Sequence, residues 1–429
     1  MRKILVLILL FFVCFLDFSI VYSLEKEKKD ILSIDQCIKM GLDNNHDLLA
    51  EKAIYASKFK TLDQAKSTYY PQLDLNVGYL GNNTISKSSS DPFFKIGSYN
   101  YYTGGLALSQ NIYDFGRRED NVKIQEINLN IEKNKVDDQI KKVVNNVKNA
   151  FYNVLKNQRL LNQNKIMITK YTEHLTQTKF LYDAGKKPKY DVTKALVDLS
   201  NSQLNLLTTQ KNLNTAWANL NYVLGVEIDT KTELLDDFAI LSQKDALNQY
   251  INFAYNNRSD YLVELNKAEQ AKTTVFFAEK DYYPKLTGSL GYNFAGTRFP
   301  VDQGWNVGAA LSWNLFNGFN TQSKIDENKR LLDASLQNIQ TLKLKIALEI
   351  KTNYYSLIEA EERIKTSQIQ ITYSTEMLSL SELRYVSGVG TALEITDATT
   401  DFNSANVTYI NALYDYKISL ANLEKAMGK

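Results

Sequence analysis

The sequence predicts an internally duplicated α+β chain in which pairs of membrane-type β-strands alternate with very long helices. Three observations carry this. A Tyr-Tyr-Pro element followed by strict apolar–polar alternation occurs twice, at 69–79 and 282–292. The two copies stay in register far beyond that element. The stretches after each strand pair are nearly free of proline and repeat apolar residues every 3.5 positions, the pattern of helices that supercoil against neighbours.

At the N-terminus, Arg2 and Lys3 precede an apolar run over 4–16 closed by Asp17, and Val21-Tyr22-Ser23 follows. The pattern predicts a secretory signal peptide over 1–23. The run is too short for a membrane span, which needs about 20 apolar residues. Phe12-Val13 before Cys14 lacks the small residues of a lipoprotein signal, so no lipid anchor is expected. Beyond the signal only Cys37 remains, and no internal disulfide can form. His46 and His174 lie far apart without ligand spacing; both are expected to be solvated helix residues, with no metal site. A net charge of +2 offers no basic face for nucleic acid. No second long apolar segment follows, so a membrane crossing would have to be made with strands.

The first copy spans 33–225 and the second 246–428, joined by a linker over 226–245 that has neither period. At an offset of 213, Asn44 falls on Asn257, Asp47 on Asp260, Pro71 on Pro284 and Gly78 on Gly291. Past the strand loop the offset becomes 203, and Leu108 falls on Leu311, Tyr182 on Tyr385, Gly185 on Gly388 and Gly225 on Gly428. The first copy's loop is the longer one by that difference. Each copy reads helix, strand, loop, strand, long helix, turn, helix.

The strands are expected at about 71–80, 104–113, 284–294 and 305–315. Proline stops each preceding helix. Leu73, Leu75, Val77 and Tyr79 then share one face, with Gln72, Asp74, Asn76 and Gly78 on the other. Apolar-out, polar-in alternation with aromatic ends fits a membrane barrel; one such strand alone would equally fit a soluble sandwich. Trp305 and Trp313 lie eight residues apart, roughly 26 Å along a strand. That matches the band between a barrel's aromatic girdles, and makes them candidate girdle residues.

The long helices are expected at 117–183 and 190–224, then 320–386 and 392–427. A 67-residue helix over 117–183 would be about 100 Å long, too long for an ordinary globular core. Its seam includes Val147, Phe151 and Val154; that of its partner includes Val192, Leu196, Leu213, Trp217 and Leu220. The turns between the arms carry Gly185 and Gly388 where a left-handed C-cap is cheapest.

Taken together, Tyr-Tyr-Pro before each first strand, Ile112-Tyr113-Asp114-Phe115-Gly116-Arg117 at the strand-to-helix junction, Arg384-Tyr385 before Gly388, and Glu394-Ile395-Thr396-Asp397-Ala398-Thr399-Thr400 make the chain resemble the TolC-like outer-membrane efflux proteins over essentially all its mature length. The resemblance implies a trimer, a twelve-stranded β-barrel in the outer membrane with four strands per chain, and a long periplasmic α-helical coiled-coil barrel. Oligomerisation follows also from physics, because four strands cannot close a barrel and an open edge in lipid is prohibitive.

The resemblance further implies an exit duct that passes small molecules or polypeptides, working with a periplasmic adaptor and, through it, an inner-membrane pump. Gly185, Lys186, Gly388, Val389, Gly390 and Thr391 become the adaptor-docking tips. Glu394 and Asp397, one helical turn apart, match the acidic constriction, and six carboxylates around one axis would favour cations. Asp191 and Tyr385 match gate contacts. Where many members carry a basic residue, two positions after the second tip glycine, this chain has Gly390, so one closing ion pair is missing.

No nucleophile–base pair, phosphate loop or dinucleotide motif appears, so neither an enzyme nor a cofactor is expected. The alternative reading is an exported coiled-coil structural or adhesin-like stalk; it explains the heptads and leaves the four alternating strands unexplained.

Overall fold

The computed structural model describes residues 31–83, 98–236 and 246–429. The expected signal peptide, most of the first copy's strand loop and residues 237–245 of the expected linker lie outside the described residues.

The first copy begins with β1 (Ile31–Leu32) and α1 (Ile34–Asn44). Ser33 opens α1 with a reciprocal capping box to Gln36. Where the sequence suggests one helix there are two, because Asn45 leaves the helical conformation to cap α2 (His46–Ser67). Its side chain accepts from the Leu48 N–H and donates to the Val223 carbonyl at 3.0 Å. After Pro71 come β2 (Gln72–Asn83) and β3 (Ser98–Tyr113), then α3 (Arg117–Asp183) and α4 (Lys189–Leu224). The expected linker is not wholly irregular: β4 (Glu233–Leu234) pairs in parallel with β1.

The second copy repeats the order with α5 (Leu247–Asn257), α6 (Ser259–Glu279), β5 (Lys285–Gly296), β6 (Asp302–Ser312), α7 (Asn320–Val386) and α8 (Ala392–Met427). Arg258 stands where Asn45 stood and reaches the Ala426 carbonyl at 2.9 Å, the counterpart of Val223. Each copy is thus tied start to end by the residue between its short helices, through different chemistry. Arg258 also pairs with Asp260 and Glu349, which satisfies a mostly buried guanidinium.

All four long helices meet in one apolar core at mid-length, built from Val147, Phe151 and Val154 of α3, Leu220 of α4, Ile346 and Ile350 of α7, and Tyr414 and Leu423 of α8. Cys37 is buried there, and burial pushes its thiol up to about 11, so it stays protonated and inert. Away from the middle the core thins to small clusters, one of which joins Leu181, Tyr385, Ala392 and Ile395 at the far tip.

Each second strand turns into its long helix through two consecutive left-handed residues. These are Phe115 and Gly116 (φ 59° and 88°) in the first copy and Gly318 and Phe319 (66° and 67°) in the second. One glycine per elbow suffices, and the two copies place it at opposite positions. A phenylalanine tolerates φ > 0 only at some steric cost, so both elbows hold a strained geometry where strand becomes helix.

Candidate functional site: the open sheet and the helical tips

The four long strands form one antiparallel sheet in the order β2-β3-β5-β6. Directly opposed residues of antiparallel strands share a face, so the register sorts the side chains. One row across the sheet is Leu75, Leu106, Tyr292 and Trp305; the next is Leu73, Leu108, Leu290 and Val307. Phe294 lies flat over Gly104, where any Cβ would collide with its ring. The opposite face reads Asn76, Gly105, Asn293 and Gly304, then Asp74, Ala107, Gly291 and Asn306. One face is apolar throughout, the other small and polar.

Nothing in the chain covers the apolar face: Leu75 is 67 % exposed, Val77 75 % and Trp305 74 %. Nor do β2 and β6 have partners on their outer edges. No helix among the described residues is long and apolar enough to cross a membrane.

One expectation needs correction. β6 ends at Ser312, so Trp313 lies beyond the strand, and its indole N–H donates to the Tyr282 carbonyl at 3.0 Å. Backbone pairing stops there because β5 begins only at Lys285, just after Pro284. Trp305 is the tryptophan within the strand.

At the other end, both turns close identically. Gly185 and Gly388 have φ of 70° and 82°. The next residue, Lys186 or Val389, donates back to the carbonyl of Leu181 or Arg384, which satisfies the helix end. The Tyr385 side chain is fully buried between the hairpins. Its hydroxyl donates to the Asp191 carboxylate at 3.3 Å and meets the Thr178 hydroxyl at 3.4 Å. Burial, with Asp191 adding to it, holds the phenol above the usual tyrosine range. It therefore stays neutral, as a donor must.

Glu394 and Asp397 are not equivalent. Thr391 caps α8 by accepting from the Glu394 N–H, and the Glu394 carboxylate pairs with Arg384 at 3.2 Å. Asp397 is exposed, and no ion pair engages it among the described residues. A turn deeper, Asp198 is buried, paired with Lys194 and accepting from Thr396.

Two residues here escaped sequence reasoning. His174 is not solvated; its ring packs on Tyr385 with centroids 5.4 Å apart, and burial lowers its pKa. Lys187 extends from the first turn to the second. Its Nζ lies 4.1 Å from the centre of the Tyr385 ring and donates to the Gly390 carbonyl at 3.0 Å. The repeat contained a signal for Lys187, because the offset of 203 pairs it with Gly390. For His174 there was none, since burial is a property of the packed tip.

Comparison with known proteins agrees with this architecture. The chain is 21 % identical over 403 residues to the outer membrane protein TolC of Vibrio cholerae, covering 90 % of this chain and 88 % of that one. Its fold is similar to the CmeC outer membrane channel of Campylobacter jejuni (TM-score 0.81, 17 % identity, 95 % and 90 % of the two chains covered). It is also similar to the open state of the MtrE outer membrane channel of Neisseria gonorrhoeae (TM-score 0.77, 15 % identity, 92 % and 88 % covered). The family described as outer membrane efflux protein matches residues 37–226 and 251–429. The chain belongs to the outer membrane efflux protein family, as a protein of the outer membrane with a periplasmic helical extension.

Proposed function

We propose that three copies of this chain form the exit duct of a tripartite efflux or type I secretion system, carrying small molecules or polypeptides across periplasm and outer membrane. The observation that carries the reading is the unfinished sheet: four strands, one apolar face left bare, and two edges without partners. In lipid the bare face is satisfied, but an open edge is not. Pairing β6 of one copy with β2 of the next removes the edges. Two copies would make eight strands, an interior filled by side chains, whereas three make twelve and leave a lumen lined by the small, polar face.

The helices support the same assembly. Along α7, Leu344, Leu348 and Tyr355, then Ile369, Tyr373 and Leu380, are exposed at spacings of four and seven. On α4, Val197, Leu204 and Leu207 are likewise bare. Unpartnered heptad stripes at both flanks suit helices that close a ring with neighbouring copies.

In this reading Trp305 and Trp313 mark the membrane girdle, and Glu394 with Asp397 forms the cation-favouring constriction. Asp191 and Tyr385 are gate contacts. The turns at Gly185-Lys186 and Gly388-Val389-Gly390-Thr391 meet the periplasmic adaptor, through which the duct couples to an inner-membrane pump. The test is membrane fractionation followed by native mass measurement of the detergent extract. An integral outer-membrane trimer is expected; a soluble periplasmic monomer would overturn the reading.

A further inference from the structure

The two tips have the same backbone and different side chains, and one residue exploits the difference. Lys187 and Gly390 occupy equivalent positions of the two turns, 203 residues apart, yet only Lys187 has a side chain to extend. It spans the gap and donates to the carbonyl of its own counterpart. That carbonyl belongs to the residue just before the Thr391 cap, so the bond fixes the start of α8 to the turn between α3 and α4. On the way the ammonium passes over the Tyr385 ring, whose hydroxyl is held by Asp191 at the start of α4. The path from one hairpin to the other therefore runs through three linked contacts: a charge-assisted hydrogen bond, a cation–π contact and a buried phenol–carboxylate bond.

The reverse arrangement is sterically closed. A Cβ at position 390 would meet the Tyr385 nitrogen at 2.8 Å and the Arg384 carbonyl carbon at 2.9 Å. These are backbone atoms and cannot step aside. The second turn winds too tightly to bear a side chain there, so the cation that bridges the hairpins has to come from the first. Lys186, its neighbour, is exposed and makes no such contact among the described residues.

We propose that Lys187 is the bolt of the resting duct: a positioning residue that joins the two helical hairpins within one chain, clamps Tyr385 against Asp191 and thereby sets how readily the tip opens. The proposal rests on the exit-duct reading for its consequence, though not for the contact itself.

Two readouts on the full-length, detergent-purified protein separate the two. Lys187→Met keeps the length and apolar stem and removes the charge; Lys187→Arg keeps the charge. The first readout is the distance between spin labels at Lys186→Cys and Val389→Cys, with buried Cys37 left in place. Lys187→Met should broaden and lengthen that distance, and Lys187→Arg should restore it. The second is resting conductance in planar bilayers. Loss of a charge-assisted bond and a cation–π contact should shift the closed-to-open ratio by roughly tenfold towards open, and the arginine variant should return most of it. An unchanged tip distance in Lys187→Met overturns the bolt whatever the conductance. A changed distance in a wild-type protein that forms no channel supports the bolt and instead overturns the exit-duct reading. Loosened tips with wild-type conductance also count against the proposal, because the clamp would then not set opening.

Discussion

The sheet and the tip are opposite solutions to the same problem of leaving no group unsatisfied. In the sheet, almost everything that matters is bare within one chain: a full apolar face, two edges, the ring of Trp305. At the tip the decisive side chain, Tyr385, is fully buried by its own chain, with its hydroxyl and its ring face both engaged. The sheet carries its free energy forward into assembly and lipid; the tip has already used its own. Changes in the sheet should therefore act on whether the protein assembles, and changes at the tip on how the assembled protein behaves.

The strongest test of this contrast is a charge on the apolar face. Leu75→Arg should cost about 2–4 kcal/mol per chain near the bilayer midplane, and native electrophoresis of membrane extracts should show little or no oligomer. Asn76→Arg, one residue along and on the other face, should assemble normally and alter only ion preference. Equal recovery of both variants would mean that the apolar face does not meet lipid.

Tyr385→Phe probes the other end. Leaving buried Asp191 without its phenol donor should cost about 1–3 kcal/mol locally, seen as raised resting conductance with undiminished oligomer. A loss of oligomer instead would show that the tip is not self-contained.

Smaller again is the double change Glu394→Gln with Asp397→Asn, which nearly conserves size and removes charge. Cation preference in bilayers should fall, most clearly at low salt where screening is weak. Because Arg384 already balances Glu394, the single Asp397→Asn variant should account for most of the loss. Selectivity unaltered across salt concentrations would place the constriction elsewhere.

The smallest effect concerns pH. Burial lowers the pKa of His174 although Asp198, Asp191 and Glu382 pull it upward. The packed tip therefore prefers neutral imidazole, and the loosened tip, with a value near 6.5, takes up a proton first as pH falls. Closed-tip stability should be flat above about 6.5 and decline below it, down to the depressed value. Resting conductance should rise modestly on acidification from neutral pH, and His174→Phe should flatten that slope. A slope that survives the substitution would assign the pH response to another group.

Much of this architecture was legible before any coordinates. The helix expected over 117–183 and the observed α3 share their bounds, because heptad spacing and the elbow and turn glycines are local signals. The alternation in β2 and β6 told which residues share a face. Where reading fell short, the cause was non-local. Asn45 looked like an ordinary helix residue because its reason for breaking the helix, the Val223 carbonyl, lies 178 positions away. Strand β4 is two residues long and exists only through β1. Trp313 continued the alternation of β6 in sequence, but the neighbouring strand had already ended.

The sequence by itself determined the duplication, the long arms, the left-handed turns and the two-faced strands, since each rests on periodicity or on a backbone preference that a few neighbouring residues specify. Only the tertiary structure decided which copy supplies the charge at the tip. Gly390 read alone is a missing cation; packed against the backbone of Arg384 and Tyr385 it is a position with no room for one. The contact moves to Lys187 because, of the two equivalent turns, only the first leaves space for a side chain to reach across.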